Sequence, residues 1–168
     1  MKMTDSGGPR PSGDMLGQLA LAPASPDQAD AIRDLTLRAY AKWVPVTPRK
    51  PRPMTADYAR AVIEHRFDCL WSGDHLVGVI ETTPEEGALL IVNVAVDPDW
   101  QGKGLGVKLM RHAEDLAGAM GLPATRLYTN KLMVENIALY EALGYVFEKE
   151  TLHDHGTVAV HMIRPVRE

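Results

Sequence analysis

The chain has 168 residues, of which 45% are apolar and 24% are charged, and its formal net charge is −4. This length and composition predict one globular domain with a single core. The negative net charge argues against nonspecific nucleic-acid binding, which requires a basic surface. The only cysteine, Cys69, excludes an internal disulfide framework, and we expect it to be a small buried strand residue.

No segment predicts a membrane partner or a secretory signal. The longest apolar run, residues 88–96, is about half of the roughly 20 residues that a membrane-spanning helix requires, and Asn93 interrupts it. Residues 1–15 are rich in Gly, Pro, Ser and Asp and contain no apolar block, so we expect a disordered tail there. The folded domain is expected over residues 16–168, and we expect the protein to be cytoplasmic.

The first part of the domain predicts one strand followed by two helices. Residues 17–24 predict a strand. A helix is predicted over residues 25–43, because Ser25 and the three residues after it are typical of a helix start and apolar residues then recur at helical spacing. Four prolines in residues 44–54 predict a loop, and Thr55 is the expected N-cap of a second helix, "ADYARAVIEHRF".

The centre of the chain predicts three consecutive strands and then a helix. The strands are expected within residues 68–98, with one hairpin turn at the pair Gly73-Asp74 and another at "PEEG". Apolar residues repeat at intervals of three and four after Gly104, and this spacing predicts a helix that ends at Gly121.

The last part predicts a strand over residues 125–130, a short helix over residues 134–143 and a hairpin over residues 145–166. A strand-rich centre with helices before and after it predicts a mixed α+β domain. The hairpin holds three histidines, but their spacing matches no zinc pattern, so we predict no metal site. These are His153, His155 and His161.

Three glycines stand between a predicted strand and a predicted helix, in "WQGKGLG" at residues 100–106. The first N–H groups of a helix have no partner within it, so this position suits an anion. The spacings of a P-loop and of a dinucleotide-binding loop both fail, because each requires glycine where Val107 stands. The glycines by themselves leave two interpretations open, a turn or a phosphate cradle.

Two sequence blocks together resemble the GNAT superfamily of acyl-CoA-dependent N-acetyltransferases. The first is Q-x-x-G-x-G, formed by Gln101, Gly104 and Gly106 after "VNVAVDP", and the second is "NIALYEALGY" at residues 136–145. Both stand in the order and at the separation of the family, and the resemblance extends over roughly residues 17–166. It implies a central, mostly antiparallel sheet of about six to seven strands with helices on both faces.

The resemblance also implies an N-acetyltransferase that uses acetyl-CoA as co-substrate. Backbone N–H groups of the glycine loop would hold the coenzyme A pyrophosphate, and Val94 and Val96 would pair with the pantetheine arm as an added strand does. Asn136 matches the asparagine that contacts pantetheine, although a helix cap is an alternative role. The loop residues are Gln101, Gly102, Lys103, Gly104, Leu105 and Gly106.

The same resemblance implies two catalytic features. Tyr140 matches the tyrosine near the coenzyme sulfur and would be the general acid toward the departing thiolate, although a core tyrosine is an alternative. The N–H of Val94 or a near neighbour would stabilise the oxyanion. The sequence does not identify the general base. Glu81, acting through water, is a candidate, and the alternative is that Glu81 only ends a strand in solvent.

The resemblance further implies that the segment between the first two helices borders the acceptor site. Residues 41–56 contain no acidic residue and four cations, which predicts an acceptor that carries a carboxylate or phosphate beside its amine; ordinary loop solubility is the alternative. The cations are Lys42, Arg49, Lys50 and Arg52. Tyr40 and Trp43 could line the pocket or pack in the core.

The predicted function is therefore acetyl transfer to the primary amine of a small metabolite. Other interpretations stay open: a coenzyme A-binding module without turnover, a different acyl donor, a protein amine as acceptor, or a partner domain that forms a homodimer through the hairpin at residues 145–166. No interpretation requires nucleic acid.

Overall fold

The computed structural model describes residues 18–166, so the predicted tail at residues 1–15 lies outside the described residues. Within the described part, the chain forms seven strands and four α-helices. The strands are β1 (Leu19–Pro23), β2 (Arg66–Ser72), β3 (His75–Glu85), β4 (Ala88–Val96), β5 (Ala124–Asn130), β6 (Val146–Leu152) and β7 (Val158–Pro165). The helices are α1 (Ala29–Tyr40), α2 (Tyr58–Glu64), α3 (Leu105–Ala119) and α4 (Val134–Ala142).

The strands form one sheet in the order β1-β2-β3-β4-β5-β7-β6. All neighbouring pairs are antiparallel except β4 and β5, which are parallel. Helices cover both faces: α3 packs through Leu109 and Met110 on one face, and α1 packs through Ile32 and Leu35 on the other. The predicted mixed fold with a mostly antiparallel sheet is confirmed.

The first predicted helix is shorter than its periodicity indicates. One 3-10 turn precedes α1 at Pro26–Gln28 and another follows it at Ala41–Trp43. Gln28 closes the start, since its Oε1 accepts a hydrogen bond from the Ser25 N–H at 3.0 Å. At the other end, Pro45 has no N–H with which to continue a helix.

The prediction of the second helix is wrong at both its N-cap and its last residue. Asp57, not Thr55, caps α2, because its Oδ1 accepts a hydrogen bond from the Arg60 N–H at 3.2 Å. The helix stops at Glu64, and Phe67 already belongs to β2, where its side chain is buried against Tyr58. Burial of Phe67 in the sheet therefore overrides the helical pattern.

Other expectations on the core hold. Cys69 is fully buried in β2, and burial raises the pKa of its thiol to about 12, so it is a packing residue. None of the helices in residues 18–166 combines the length and the apolar character needed to cross a membrane.

Candidate functional site

The parallel strands β4 and β5 pair over only three residues each. Leu89–Ile91 pair with Thr125–Leu127, and beyond this point β4 continues to Val96 paired with β3 while β5 continues to Asn130 paired with β7. The two strands therefore separate toward their carboxyl ends. The register of β3 and β4 also shifts beside Asn93, so that Val92 is the extra residue of a β-bulge.

A cleft of about 300 Å³ lies along the end of β4, and we call it the β4 cleft. The last residues of α1, the turn after it, β4, the glycine loop, the start of α3 and one side of α4 supply its walls. It includes all but one of the residues predicted to bind the coenzyme; Lys103 does not line it. Those that do are Val94, Val96, Gln101, Gly102, Gly104, Leu105, Gly106 and Asn136.

Two of the loop glycines have backbone conformations that require glycine. Gly102 and Gly104 have φ angles of +77° and +79°, in the left-handed region, and Gly104 is the N-cap of α3. The loop is tied to β4 by Gln101, whose side-chain amide donates a hydrogen bond to the Val96 carbonyl at 3.0 Å. A turn is enough to explain Gly102 and Gly104.

Gly106 differs from both. It lies in the first turn of α3, its φ is not positive, and a Cβ built on it would meet no other atom within 4 Å. Neither the backbone nor the packing of the chain therefore requires a glycine, although glycine costs helix stability relative to alanine. Gly106 lines the β4 cleft, where a missing Cβ lets a ligand approach the helix N-terminus.

The corner before the loop is held by a buried carboxylate. Asp97 accepts a hydrogen bond from the Asp99 N–H at 2.9 Å. The Asp97 carboxylate also lies 3.3 Å from Arg38 of α1 and 3.3 Å from His75 at the start of β3. Asp97 thus joins the loop to two elements that are distant in sequence.

Tyr140 lies on α4 and contributes to the wall of the β4 cleft. Its ring packs edge-on against the buried Tyr145, with 6.1 Å between the ring centroids. Burial, followed by the neighbouring Tyr145, raises the pKa of Tyr140 to about 12. The hydroxyl is therefore neutral and able to donate a proton at physiological pH. Asn136, one turn earlier, is inside the helix and is not its cap, which is Met133.

Tyr40 and Lys42 also line the β4 cleft, and each makes a further contact there. The Tyr40 hydroxyl donates a hydrogen bond to the Val94 carbonyl at 3.4 Å. Burial, and then Tyr140, Tyr58 and Glu81, raise its pKa well above the usual value. Lys42, one of the four cations predicted beside the acceptor, lines the β4 cleft, with its Nζ 5.3 Å from the ring centroid of Trp43.

Glu81 is not a solvated strand end. β3 continues beyond it to Glu85, and Glu81 is only 4% exposed. Its Oε1 lies 2.7 Å from Nδ1 of His65, the residue that follows α2. Burial raises the pKa of the Glu81 carboxyl, and the contact with His65 partly offsets this.

Asn93 faces Glu81 across the β3–β4 pair and adds further polar groups at this point. Its side-chain amide donates to the Thr36 hydroxyl at 3.3 Å and lies 3.5 Å from the Tyr58 hydroxyl. The Asn93 Oδ1 is buried and has no hydrogen-bond partner among the described residues. We call these five residues, Thr36, Tyr58, His65, Glu81 and Asn93, the polar cluster.

A second and larger cavity, of about 470 Å³, lies where β5, β6 and β7 adjoin the β3–β4 turn. Its principal charges neutralise each other, since Arg126 bonds Glu85 at 2.7 Å and Glu148 at 2.9 Å. It contains none of the predicted site residues. The smaller β4 cleft is therefore the better candidate for chemistry.

The three histidines of the hairpin do not come together around one point. His153 and His155 stack on each other at the turn, with 5.4 Å between ring centroids, whereas His161 hydrogen-bonds Thr151 at 2.9 Å. Among residues 18–166, no group of three or more His, Cys, Asp or Glu side chains is arranged to hold a metal ion.

Comparison with known proteins adds independent evidence. The chain is 29% identical over 100 residues to an uncharacterized N-acetyltransferase, YvbK, of Bacillus subtilis (strain 168), a match that covers 55% of this chain and 63% of that one. It is 40% identical over 55 residues to the [ribosomal protein bS18]-alanine N-acetyltransferase of Escherichia coli (strain K12), covering 33% of this chain and 37% of that one. The chain thus spans less than two thirds of the length of these relatives.

Solved structures share the fold over a greater length. The ribosomal-protein-S18-alanine N-acetyltransferase from Escherichia coli superimposes with a TM-score of 0.69 at 21% identity, covering 89% of this chain and 95% of that one. The model of the acetyltransferase (GNAT) family matches residues 29–145, which is more than half of the chain. These residues include both sequence blocks and every residue that lines the β4 cleft, and the chain therefore belongs to the GNAT acetyltransferase family.

Proposed function

We propose that the protein is an N-acetyltransferase that moves the acetyl group of acetyl-CoA directly to a primary amine. Family membership and the fold support this activity, and Gly106 is the observation that carries the coenzyme site. A ligand in the β4 cleft explains this glycine, whereas no contact among residues 18–166 requires it. The residues predicted to bind coenzyme A fit that ligand, because they bring N–H groups and an open helix N-terminus together.

The chemistry assigned to the chain follows from its groups. Acetyl-CoA supplies the acetyl group as a thioester. The Val94 N–H would donate a hydrogen bond to the oxyanion, and Tyr140, whose pKa of about 12 keeps its proton in place, would protonate the departing sulfur. Val94, Asn136 and Tyr140 all line the same cleft, which is consistent with these roles.

The substitution Gly106→Ala tests the coenzyme site. An added methyl group should raise the Kd for coenzyme A about tenfold by occupying ligand space, as measured by calorimetric titration. It should also raise the free energy of unfolding by about 0.5–1 kcal/mol, because alanine favours the helix. Opposite effects on binding and stability distinguish a ligand requirement from a folding requirement.

Gly118→Ala is the matched control, since Gly118 lies in the same helix and its added Cβ would make only an ordinary 3.5 Å contact with Val166. This variant should gain stability without losing coenzyme affinity. Unchanged coenzyme affinity in Gly106→Ala would show that the loop is only a turn.

We also propose Glu81 as the general base, acting on the acceptor ammonium through water. The polar cluster supports this role, because Glu81 is buried and Asn93, which precedes Val94, presents a buried Oδ1 that can accept a further hydrogen bond. A raised pKa also makes a carboxylate a stronger base.

The acceptor is proposed to be a small amine that carries a carboxylate or phosphate. Support comes from the segment after the cleft residue Trp43, where Arg49, Lys50 and Arg52 remain exposed and make no ion pair with any described residue. Because Lys42 lines the β4 cleft, three of the four predicted cations remain to attract an anionic acceptor.

A protein amine is the second candidate. The relative from Escherichia coli that is 40% identical over 55 residues acts, by its name, on an alanine of a ribosomal protein. A panel of L-glutamate, spermidine and a short peptide with a free N-terminal alanine would separate the candidates by release of free coenzyme A. Acetylation of spermidine with glutamate ignored would contradict the anionic acceptor, and turnover of the peptide alone would support the protein amine.

The same panel addresses a coenzyme-binding module, which would bind coenzyme A and turn over none of the amines. The homodimer stays a prediction. The hairpin strand β6 ends the sheet and exposes Phe147, so the mass in solution measured by light scattering tests it.

A further inference from the structure

The proposed reaction releases one proton that must reach solvent. At neutral pH the acceptor enters as an ammonium ion, with three protons on nitrogen, and the amide product keeps one. One proton returns to Tyr140 and replaces the proton that this residue gives to the coenzyme sulfur, and the remaining proton must leave the site. A base buried under two helices needs a route by which to discharge that proton before the next turnover.

Among the described residues, one neighbour of Glu81 can both accept and release a proton. His65 is 2.7 Å from the Glu81 carboxylate, and its side chain is 32% exposed, compared with 6% for Glu81. An imidazole ring has two nitrogens, so it can accept a proton on one of them and release a proton from the other. His65 therefore connects a buried carboxylate to the surface in one step.

The other groups near this pair do not compete for the proton. Tyr58 of α2 and Tyr40 of α1 face Glu81, and burial keeps both hydroxyls neutral by raising their pKa values. The two charged neighbours of His65 in sequence are occupied elsewhere: Glu64 pairs with Arg60 at 2.7 Å, and Arg66 pairs with Asp68 at 2.9 Å. From β2 and β4 the strand partners of Glu81 are Phe67 and Asn93, neither of which is titratable.

We propose that His65 carries the released proton from Glu81 to solvent, and this rests on the proposed role of Glu81. In the resting site, Nδ1–H of the neutral His65 ring donates to the Glu81 carboxylate across the 2.7 Å contact. The ammonium proton passes through water to this carboxylate, proton exchange with water moves the ring proton from Nδ1 to Nε2, and the carboxyl proton then crosses to Nδ1. The imidazolium loses its Nε2 proton to water, which restores the resting tautomer. One proton enters and one proton leaves in each turnover. His65 acts through Glu81 and is a positioning residue, not a catalytic one.

The substitution His65→Gln tests this role. Glutamine can still donate an N–H to Glu81 but cannot carry a proton, so we expect kcat at pH 7 to fall about tenfold with the best amine of the panel. The acid side of the kcat–pH profile should change, because a histidine no longer contributes to it. In His65→Ala, which leaves space for a small molecule, added imidazole should restore most of the lost rate.

His153→Gln is the control, since His153 lies at the β6–β7 turn and makes no contact with the polar cluster. It should keep the parent rate and pH profile. A His65→Gln variant with the parent kcat and pH profile would overturn the relay, as would failure of imidazole to rescue a folded His65→Ala variant.

Glu81→Gln separates the two proposals. If Glu81→Gln loses most of its kcat and His65→Gln behaves like the parent protein, the proposed base is supported and only the proposed relay is contradicted. If Glu81→Gln keeps the activity of the parent protein, the proposed base and the proposed relay are both contradicted. Coenzyme affinity, measured independently, should be unchanged in all these variants.

Discussion

The β4 cleft and the polar cluster are built in different ways. In the cleft, one continuous segment supplies five of the lining residues, all within Gln101–Gly106. The polar cluster is assembled from α1, α2 with its C-cap, β3 and β4, and the hydrogen bond between Asn93 and Thr36 joins residues 57 positions apart. The glycine loop is local structure, whereas the polar cluster exists only in the folded sheet.

The β4 cleft and the polar cluster also differ in the charge that they can stabilise. The cleft presents backbone N–H groups at the start of α3 together with Lys42, which suits phosphates. The polar cluster presents a buried carboxylate and an unpartnered amide oxygen, which suits an ammonium ion or a water molecule that takes its proton. Substitutions in the β4 cleft should therefore affect acetyl-CoA and not the amine, and substitutions in the polar cluster should affect the amine and not acetyl-CoA.

The largest expected effect is a loss of kcat on substitution of Tyr140. This residue lines the β4 cleft, but we do not expect it to determine the affinity for either substrate. Tyr140→Phe should lower kcat about 100-fold, because the departing thiolate loses its acid, with little change in either KM. Since the pKa of Tyr140 is about 12, titration of this residue should not lower kcat of the parent protein between pH 6 and pH 10. Steady-state kinetics over that range checks both statements.

Tyr40→Phe is the control for the hydroxyl of Tyr140. The Tyr40 hydroxyl already donates to the Val94 carbonyl, so its removal should cost much less kcat. Equal losses in the two variants would contradict the assignment of Tyr140 as the acid.

A smaller effect is expected at Lys42, and it sharpens the difference in charge. Lys42→Gln should raise the KM for acetyl-CoA about three- to fivefold, because an exposed charge contributes roughly 1 kcal/mol to binding a phosphate. Acetyl-pantetheine, which carries no phosphate, should show the same KM with both proteins. Lys50→Gln should leave the acetyl-CoA KM unchanged, and a Lys42 effect of equal size on acetyl-pantetheine would contradict phosphate binding.

The smallest effect is expected at Asp97, which joins the loop to α1 and β3. Asp97→Asn keeps an oxygen for the Asp99 N–H but loses the charge that faces Arg38 and His75, so the free energy of unfolding should fall by about 1 kcal/mol. The acetyl-CoA KM should rise by no more than about twofold. Chemical denaturation measures the free energy of unfolding. Asp99→Asn is the control, and it should change neither the stability nor the acetyl-CoA KM. An unchanged stability in Asp97→Asn would show that the corner does not depend on this charge.

Much of the fold follows from local pattern. Cys69 in a buried strand, the hairpin at Gly73-Asp74 and the helix that starts after Gly104 are confirmed, because short-range alternation and glycine conformation determine them. Helix ends are less predictable. Thr55 and Asp57 are both good caps, and the structure has Asp57 as the cap. At the other end, the burial of Phe67 in β2 stops the helix at Glu64.

The sequence by itself determined the glycine loop and the second block, since each is a run of neighbouring residues whose spacing carries its chemistry. Tertiary structure decided that Lys42 faces the cleft, that Glu81 is buried, and that His65 contacts it. The physical reason is distance along the chain. A glycine turn is specified within six residues, whereas the environment of a carboxylate depends on which helices cover its strand.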